Sequence, residues 1–437
     1  MKKNKSGFTL IELLAVIAIL AIILVISIPK ILDVIETSKI NTLKNAVKLI
    51  ADSAEKKYTE NEAFGEENEI TCESVSKLNK EDYNKCTIIF DENGIAKVSI
   101  LGRGKFKGLK VIEATKTNAE VIEVEAPKYG ITAVEYINGL YEYYGDSYNL
   151  KIDNTSDENM RYYGSNPNNY VRFNNELWRI IGVFGDNVKL VRKDSLGNLS
   201  WDSSDSAINN GNGINQWGES TYEDGSYYEG ADLQVYLNKM YYGGDTTVTC
   251  YGGDNNKTST CPTNTLDETS KKLIDNHTWN VGAVDDSKKT DTLAFYNAER
   301  GTVNSKICIG TTLFNGVYCT DKVIRTTEWT GYIGLLYVTD YAYASSESIC
   351  ETNMYAKVSG VYVCEKNNWM QKNTYIWCLS PRAATSSADG VWLIGGNGIG
   401  SATVVYTVFP SIYLKTNVII ESGNGSSSNP YILKLGN

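Results

Sequence analysis

A chain of 437 residues with 42% hydrophobic and 22% charged side chains is too long for one core and predicts two or three domains of ordinary globular composition. Its net charge of -10 argues against a nucleic-acid backbone as the main partner, because phosphates need a basic face. One histidine in the whole chain, His277, excludes any mechanism or metal site that needs two.

The first thirty residues set the compartment. Met1 to Gly7 is short and basic, with Lys2, Lys3 and Lys5. From Phe8 to Ile28 the chain is apolar except for Glu12 and a few small polar groups, long enough to span a bilayer as a helix of about 20 residues. The positive-inside tendency keeps the three lysines in the cytoplasm and sends the bulk outside, as a single-pass membrane protein. A secretory signal has a shorter apolar core and a small-residue cleavage site; here Ile28-Pro29-Lys30 follows and the helical pattern runs on. A carboxylate inside a membrane segment costs roughly 2.5–3.5 kcal/mol and is usually functional.

The string Gly7-Phe8-Thr9-Leu10-Ile11-Glu12, opening an unbroken apolar run after a basic leader, resembles the processing site of type IV prepilins and of type II secretion pseudopilins. The resemblance is confined to about the first 30–35 residues. It implies cleavage between Gly7 and Phe8 by a membrane prepilin peptidase, and N-methylation of Phe8 by the same enzyme. It also implies pairing of the Glu12 carboxylate with the Phe8 amine of a neighbouring subunit as helices stack into a filament. A buried charge is tolerable where assembly supplies its counter-charge. Pro29 falls where many pilins carry a helix-bending proline.

Beyond Pro29, Leu32, Ile35, Leu43, Val47, Ile50 and Ala54 recur at helical steps among charged residues. The helix is predicted over 8–58, with its membrane span at 8–28 and a length of roughly 75 Å. A small β head is expected over 59–127. It contains a hairpin of Cys86–Phe90 with Ile95–Ile100 around Asp91-Glu92-Asn93-Gly94, and further strands near Leu109–Ile112 and Val121–Val124. Gly102-Arg103-Gly104-Lys105 lacks phosphate-loop spacing and reads as a turn.

Residues 128–160 read as a connector with a short helix between Gly130 and Tyr144. All tryptophans and every tyrosine except Tyr58 and Tyr83 lie from Tyr129 onward. The module 161–437 reads as many short strands between polar loops. Leu177–Phe184 and Val188–Val191 form a hairpin around Gly185-Asp186-Asn187, later strands fall at Trp392–Ile394, Val404–Tyr406 and Ile412–Leu414, and short helices at Asp232–Met240 and Thr269–Asp275. The fold class is α+β: a long N-terminal transmembrane pilin helix packed on a small antiparallel sheet, then a larger β-rich extracellular module.

The Trp178–Phe184 run, Asp194-Ser195-Leu196-Gly197 with Trp201, Trp329–Leu335, Thr339-Asp340-Tyr341-Ala342-Tyr343-Ala344 and Asn424–Tyr431 resemble an extracellular domain of Gram-positive surface proteins. Its ending is similar to C-type-lectin-like and formylglycine-enzyme-like folds. That domain more often has Arg-Pro near its end, where this chain has Phe409-Pro410. It brings no assigned chemistry.

Nine cysteines lie on the outer side, where oxidation is permitted. They fall in near pairs, Cys72/Cys86, Cys250/Cys261, Cys308/Cys319 and Cys350/Cys364, with Cys378 left over, although spacing alone does not fix connectivity. No Cys-x-x-Cys occurs, so a zinc site is not expected. Asp202-Ser203-Ser204-Asp205 and Asp285-Asp286 lack an EF-hand frame and read as solvated loops, and His277 reads as a loop or packing residue. No catalytic residues, cofactor or metal are expected, and no carboxylate pair stands out for glycoside hydrolysis. Tyr222, Tyr227, Tyr228, Tyr241, Tyr242 and Tyr251, set among Gly, Asp and Asn, suit a recognition surface for a glycan or protein ligand.

The expected function is a minor or tip-located type IV pilin-like filament subunit displaying a binding or adhesion module at the cell surface, with other pilin subunits as partners. Mass of this size hinders repeated packing along a shaft. The alternatives are a pseudopilin of a secretion or DNA-uptake assembly, and a surface enzyme anchored by a pilin-like leader.

Overall fold

A computed structural model describes residues 10–65, 68–76, 78–203, 215–222, 227–252, 257–301, 313–314, 317–318, 323–324, 327–358, 361–383, 390–395 and 398–436. The chain divides into two compact units, 1–126 with 142–145 and 127–141 with 146–437.

The first unit is built on one helix, α1 (Leu10–Phe64), of 55 residues, about 80 Å long. It outruns the expected end near Tyr58 because Thr59 to Phe64 holds no breaker. Gly65 ends it at φ 66°, a left-handed position that only glycine adopts without strain. Four strands form an antiparallel meander in chain order: β1 (Tyr83–Phe90), β2 (Ala96–Gly102), β3 (Leu109–Ala114) and β4 (Val121–Glu123). The β1–β2 turn is the expected one: Asp91 Oδ1 accepts from the Asn93 and Ile95 amides at 2.9 and 3.0 Å, and Gly94 takes φ 72°. Strand β2 alternates strictly, with Ala96, Val98 and Ile100 buried. They pack with Leu109, Val111 and Phe106 against Leu43, Val47, Ile50, Ala51 and Ala54 of α1. Those helix positions fall at three- and four-residue steps on one face.

The second unit holds two larger sheets. In the first, β7 (Tyr170–Phe173), β8 (Glu176–Phe184) and β9 (Asn187–Arg192) form the centre. Ser411–Tyr413 and Ile333–Gly334 extend it beyond β9, and Tyr431–Leu435 and Val418–Ser422 extend it beyond β7. The β8–β9 hairpin closes tighter than expected: Phe184 already pairs with Asn187, and Gly185 takes φ 56°. From Trp178 to Phe184 every residue of β8 is buried, Arg179 included, so the strand is covered on both faces rather than alternating.

The stretch 128–160, expected as a connector, is largely structured. It carries the helix Ala133–Tyr144 and β5 (Leu150–Ile152), which pairs with β6 (Met160–Tyr162), itself paired to β8. Thr132 bridges Ile419. Ile137, Leu140 and Leu150 are buried, which is why this polar-looking stretch is structured; 142–145 group with the first unit and the rest with the second.

The second sheet centres on Ile376–Ala383, flanked by Gly390–Ile394 and Val405–Thr407, with Val284–Asp285 added in parallel. Trp201 packs against Trp217 and Trp377 at centroid distances of 4.9 and 5.7 Å, so these tryptophans are core residues. The expected helices at 232–240 and 269–275 appear as Asp232–Val235, continued by a wider π-turn segment Tyr236–Tyr242, and as Glu268–Lys271. The α+β class stands.

Candidate functional sites: a bare apolar helix and a sealed charge network

The N-terminal half of α1 is exposed from Leu10 to Ile26, and its most apolar 18-residue window is 0% buried within the chain. A helix face of Leu, Ile, Val and Ala on this scale is not left in water by a folded protein, and its length matches a bilayer core. Pro29 lies inside the helix, which continues on both sides of it; the ring leaves the Val25 carbonyl without its i+4 donor, a local softening rather than a break. Glu12 stands in the first turn of the helix, where the positive end of the macrodipole favours an anion. Gly7 and Phe8 lie outside the described residues.

Three of the four expected cysteine pairs are disulfides: Cys72–Cys86, Cys250–Cys261 and Cys350–Cys364, with Cα atoms 6.1, 5.2 and 5.7 Å apart. Cys308 and Cys319 lie outside the described residues. Cys378 is a free, buried thiol in strand Ile376–Ala383. Burial pushes its pKa well up, so little nucleophilic thiolate forms.

The tyrosine cluster does not form one surface. Tyr241 is fully buried, because the segment Tyr236–Tyr242 turns Tyr236, Leu237, Met240 and Tyr241 inward together. It is a core residue, which corrects the expectation of a ligand-stacking face there. Tyr242 is half-buried and stacks on Tyr332 at 4.1 Å and 10°, so one ring face is occupied. Tyr222, Tyr227 and Tyr228 lie in paired strands Ser220–Tyr222 and Tyr227–Tyr228; their side chains are outside the described residues.

His277 is a packing residue. Its ring stacks on Tyr413 at 3.7 Å, Nδ1 lies 3.1 Å from Asp275 Oδ2, and burial lowers its pKa against the opposing pull of Asp275. Asp285 and Asp286 have structural tasks: Asp285 accepts from the Ser287 amide at 2.7 Å, and Asp286 grips Arg382 with both oxygens at 2.9 and 2.5 Å.

A group of acidic and basic side chains not singled out as a site in the sequence lies at the centre of the second unit. Arg161 of β6 donates from Nε to Asp153 Oδ2 at 2.8 Å and from Nη1 to Asp340 Oδ1 at 2.7 Å. Lys189 of β9 donates from Nζ to Asp340 Oδ2 at 2.6 Å. Glu299 accepts from Ser380 Oγ at 2.6 Å and Thr339 Oγ1 at 2.9 Å, with Arg300 Nη1 3.5 Å away. The side chains of Arg161, Asp153, Asp340 and Lys189 are all 0–1% exposed.

Burial would raise the Asp340 carboxyl, but the charges of Lys189 and Arg161 outweigh it and leave its pKa below the ordinary range. Burial draws Lys189 down to about 8 against the attraction of Asp340, and pushes Glu299 up to about 7 against Arg300, Ser380 and Thr339. Paired charges this deep hold strands and helices in one register rather than meet a substrate. The signal available in the sequence was a lysine inside Val188-Lys189-Leu190-Val191 and an arginine inside Met160-Arg161-Tyr162, charges where neighbours demand an apolar face.

Among known families, residues 2–28 match the prokaryotic N-terminal methylation motif. No curated protein matches the chain, and no solved structure does. The match covers the basic leader, the Gly7-Phe8 junction, Glu12 and the exposed apolar helix, and supports an N-terminus of the type IV pilin kind on a chain with, among the described residues, one helix long and apolar enough to cross a membrane.

Proposed function

We propose that this chain is a minor or tip-located subunit of a type IV pilin-like filament, which carries its second unit outside the cell as a binding or adhesion module. The carrying observation is the methylation motif at residues 2–28 placed on a helix whose apolar half is bare. In this reading a prepilin peptidase cuts between Gly7 and Phe8 and methylates Phe8. The helix waits in the membrane, and Glu12 meets the Phe8 amine of a neighbouring subunit on assembly. The second unit then acts by binding. Its only histidine is packed between Asp275 and Tyr413, which favours binding over hydrolysis. The size of the second unit, 127–141 with 146–437, favours a place where subunits need not repeat closely.

Two substitutions test the reading. Gly7→Val should leave the full-length chain uncut by intact mass, while the wild-type chain begins at a methylated Phe8. Glu12→Ala should insert in the membrane normally but fall at least about tenfold in sheared filament fractions, the size expected when about 1.4 kcal/mol of subunit pairing is lost. Normal incorporation of Glu12→Ala defeats the assembly role. Recovery only in short envelope-bound assemblies, never on extended fibres, assigns the chain to a pseudopilus instead.

A further inference from the structure

One ion pair of the buried network is also a pair of groups that can condense. Lys189 lies in β9, and Asp340 lies in the first turn of the helix Val338–Tyr343, 151 residues further along the chain. Lys189 Nζ is 2.6 Å from Asp340 Oδ2, and the two side chains are 0% and 1% exposed. Oδ2 is the one oxygen acceptor of Nζ among the described residues. Aromatic rings surround the amine: the centroids of Tyr337, Trp279, Tyr413 and Phe184 stand 4.0, 5.4, 5.5 and 5.7 Å from Nζ. An ammonium has three donors to satisfy. Ring faces ease the cost of leaving two of them without an oxygen, but a charged pair this deep still carries a large desolvation penalty.

Arg161 completes the arrangement. It donates from Nη1 to Asp340 Oδ1 at 2.7 Å and from Nε to Asp153 Oδ2 at 2.8 Å. Asp153 alone suffices to balance its charge. Asp340 and Lys189 can therefore lose their charges together without stranding a lone ion in the core.

We propose that Lys189 and Asp340 condense in the folded chain into an intramolecular isopeptide bond between Nζ and Cγ, with release of one water. A proton first passes from Nζ to Oδ2 along their 2.6 Å hydrogen bond, which turns ammonium and carboxylate into amine and carboxylic acid. The amine lone pair then attacks Cγ, and the electrons of the Cγ–Oδ1 double bond move onto Oδ1. Arg161 Nη1, 2.7 Å away, meets the negative charge that develops there. The double bond re-forms as the Cγ–Oδ2 bond breaks. The Oδ2 hydroxyl departs with a second proton from the nitrogen as water, and the amide keeps one hydrogen. Nothing is oxidised or reduced, and no co-reactant is needed.

Burial helps in two ways. It draws the Lys189 pKa down to about 8, which brings the neutral amine within reach, and it favours an uncharged amide over an enclosed ion pair. Lasting contact between the two groups supplies the effective concentration that condensation lacks in bulk water. Lys189 and Arg161 hold the Asp340 carboxyl low, and the first of these influences disappears with the proton transfer. The bond fastens β9, at the centre of its sheet, to the helix Val338–Tyr343. Its chemistry does not depend on the filament reading.

The test is the intact mass of the full chain, purified from membranes in detergent, then reduced and denatured. The wild-type chain should weigh one water less than its sequence, counted from the N-terminal residue that processing leaves. Trypsin should then yield a branched peptide that joins the segments around Lys189 and Asp340. Lys189→Met and Asp340→Ala should each return to the full sequence mass and yield no branched peptide. The branched peptide is read on the wild-type chain, so the test stands even if a variant does not fold. A wild-type chain at full sequence mass with no branched peptide is held by an ion pair only and overturns the proposal, as does a water loss that persists in Lys189→Met. A cross-linked chain that never enters filaments overturns the preceding reading and leaves this one standing.

Discussion

Glu299 shows how one side chain ties pH to stability. It is fully buried, held by Ser380 and Thr339, and burial raises its pKa to about 7 from an ordinary 4.5. The folded state therefore binds this proton more tightly than the unfolded state. The stabilisation is fully present below pH 4.5 and fades as pH climbs through about 7. Between pH 5 and pH 7 the loss from this group amounts to about 2 kcal/mol. Glu299→Gln keeps the shape and removes the titration, so the stability difference between wild type and variant should move by that amount over the same interval. Denaturant unfolding at the two pH values, followed by tryptophan fluorescence, measures it; a constant difference contradicts the assignment.

Helix α1 shows two environments on a single element, and its two halves answer differently to the same substitution. Leu43 is fully buried against the sheet of the first unit, whereas Leu14 and Leu20 are exposed along the bare half. Leu43→Ala should cost about 2–5 kcal/mol of first-unit stability, because it leaves a cavity in a packed core. Leu20→Ala should leave that stability unchanged, its contacts being with lipid or a neighbouring subunit. Amide exchange in β1 to β4 separates the two outcomes; equal protection loss in both variants refutes the division.

The same contrast explains what was legible in the sequence. Apolar steps at three and four residues located the helix, the Asp91–Gly94 turn located the β1–β2 hairpin, and cysteine spacing located the three described disulfides. Those signals are local. The burial of Tyr241 and the meeting of Arg161, Lys189 and Asp340 depend on segments brought together from β6, β9 and the helix Val338–Tyr343, and no local pattern carries that. Composition suggested that the tyrosines were a surface; packing made Tyr241 core.

At the scale of the whole molecule, the two compact units should report separately. All eight tryptophans lie at or beyond Trp178, inside the second unit, so tryptophan fluorescence follows that unit alone. Asp340→Ala removes the acceptor shared by Lys189 and Arg161, at 2.6 and 2.7 Å. Arg161 retains Asp153, but Lys189 is left as a buried cation with no carboxylate at that distance. Breaking a buried pair from one side costs about 3–5 kcal/mol, which for a unit of this size lowers its transition by roughly 10 °C. Replacing Cys72 and Cys86 by serine acts on the other unit: opening a 14-residue span releases about 3 kcal/mol of loop-closure restraint and should speed amide exchange in β1 to β4 without moving the tryptophan transition. The decisive comparison is crossed. Asp340→Ala must leave exchange in β1 to β4 at wild-type rates, and the cysteine variant must leave the fluorescence midpoint in place. If either variant moves both probes together, the units unfold as one and the second unit is not an independent cargo on its helix.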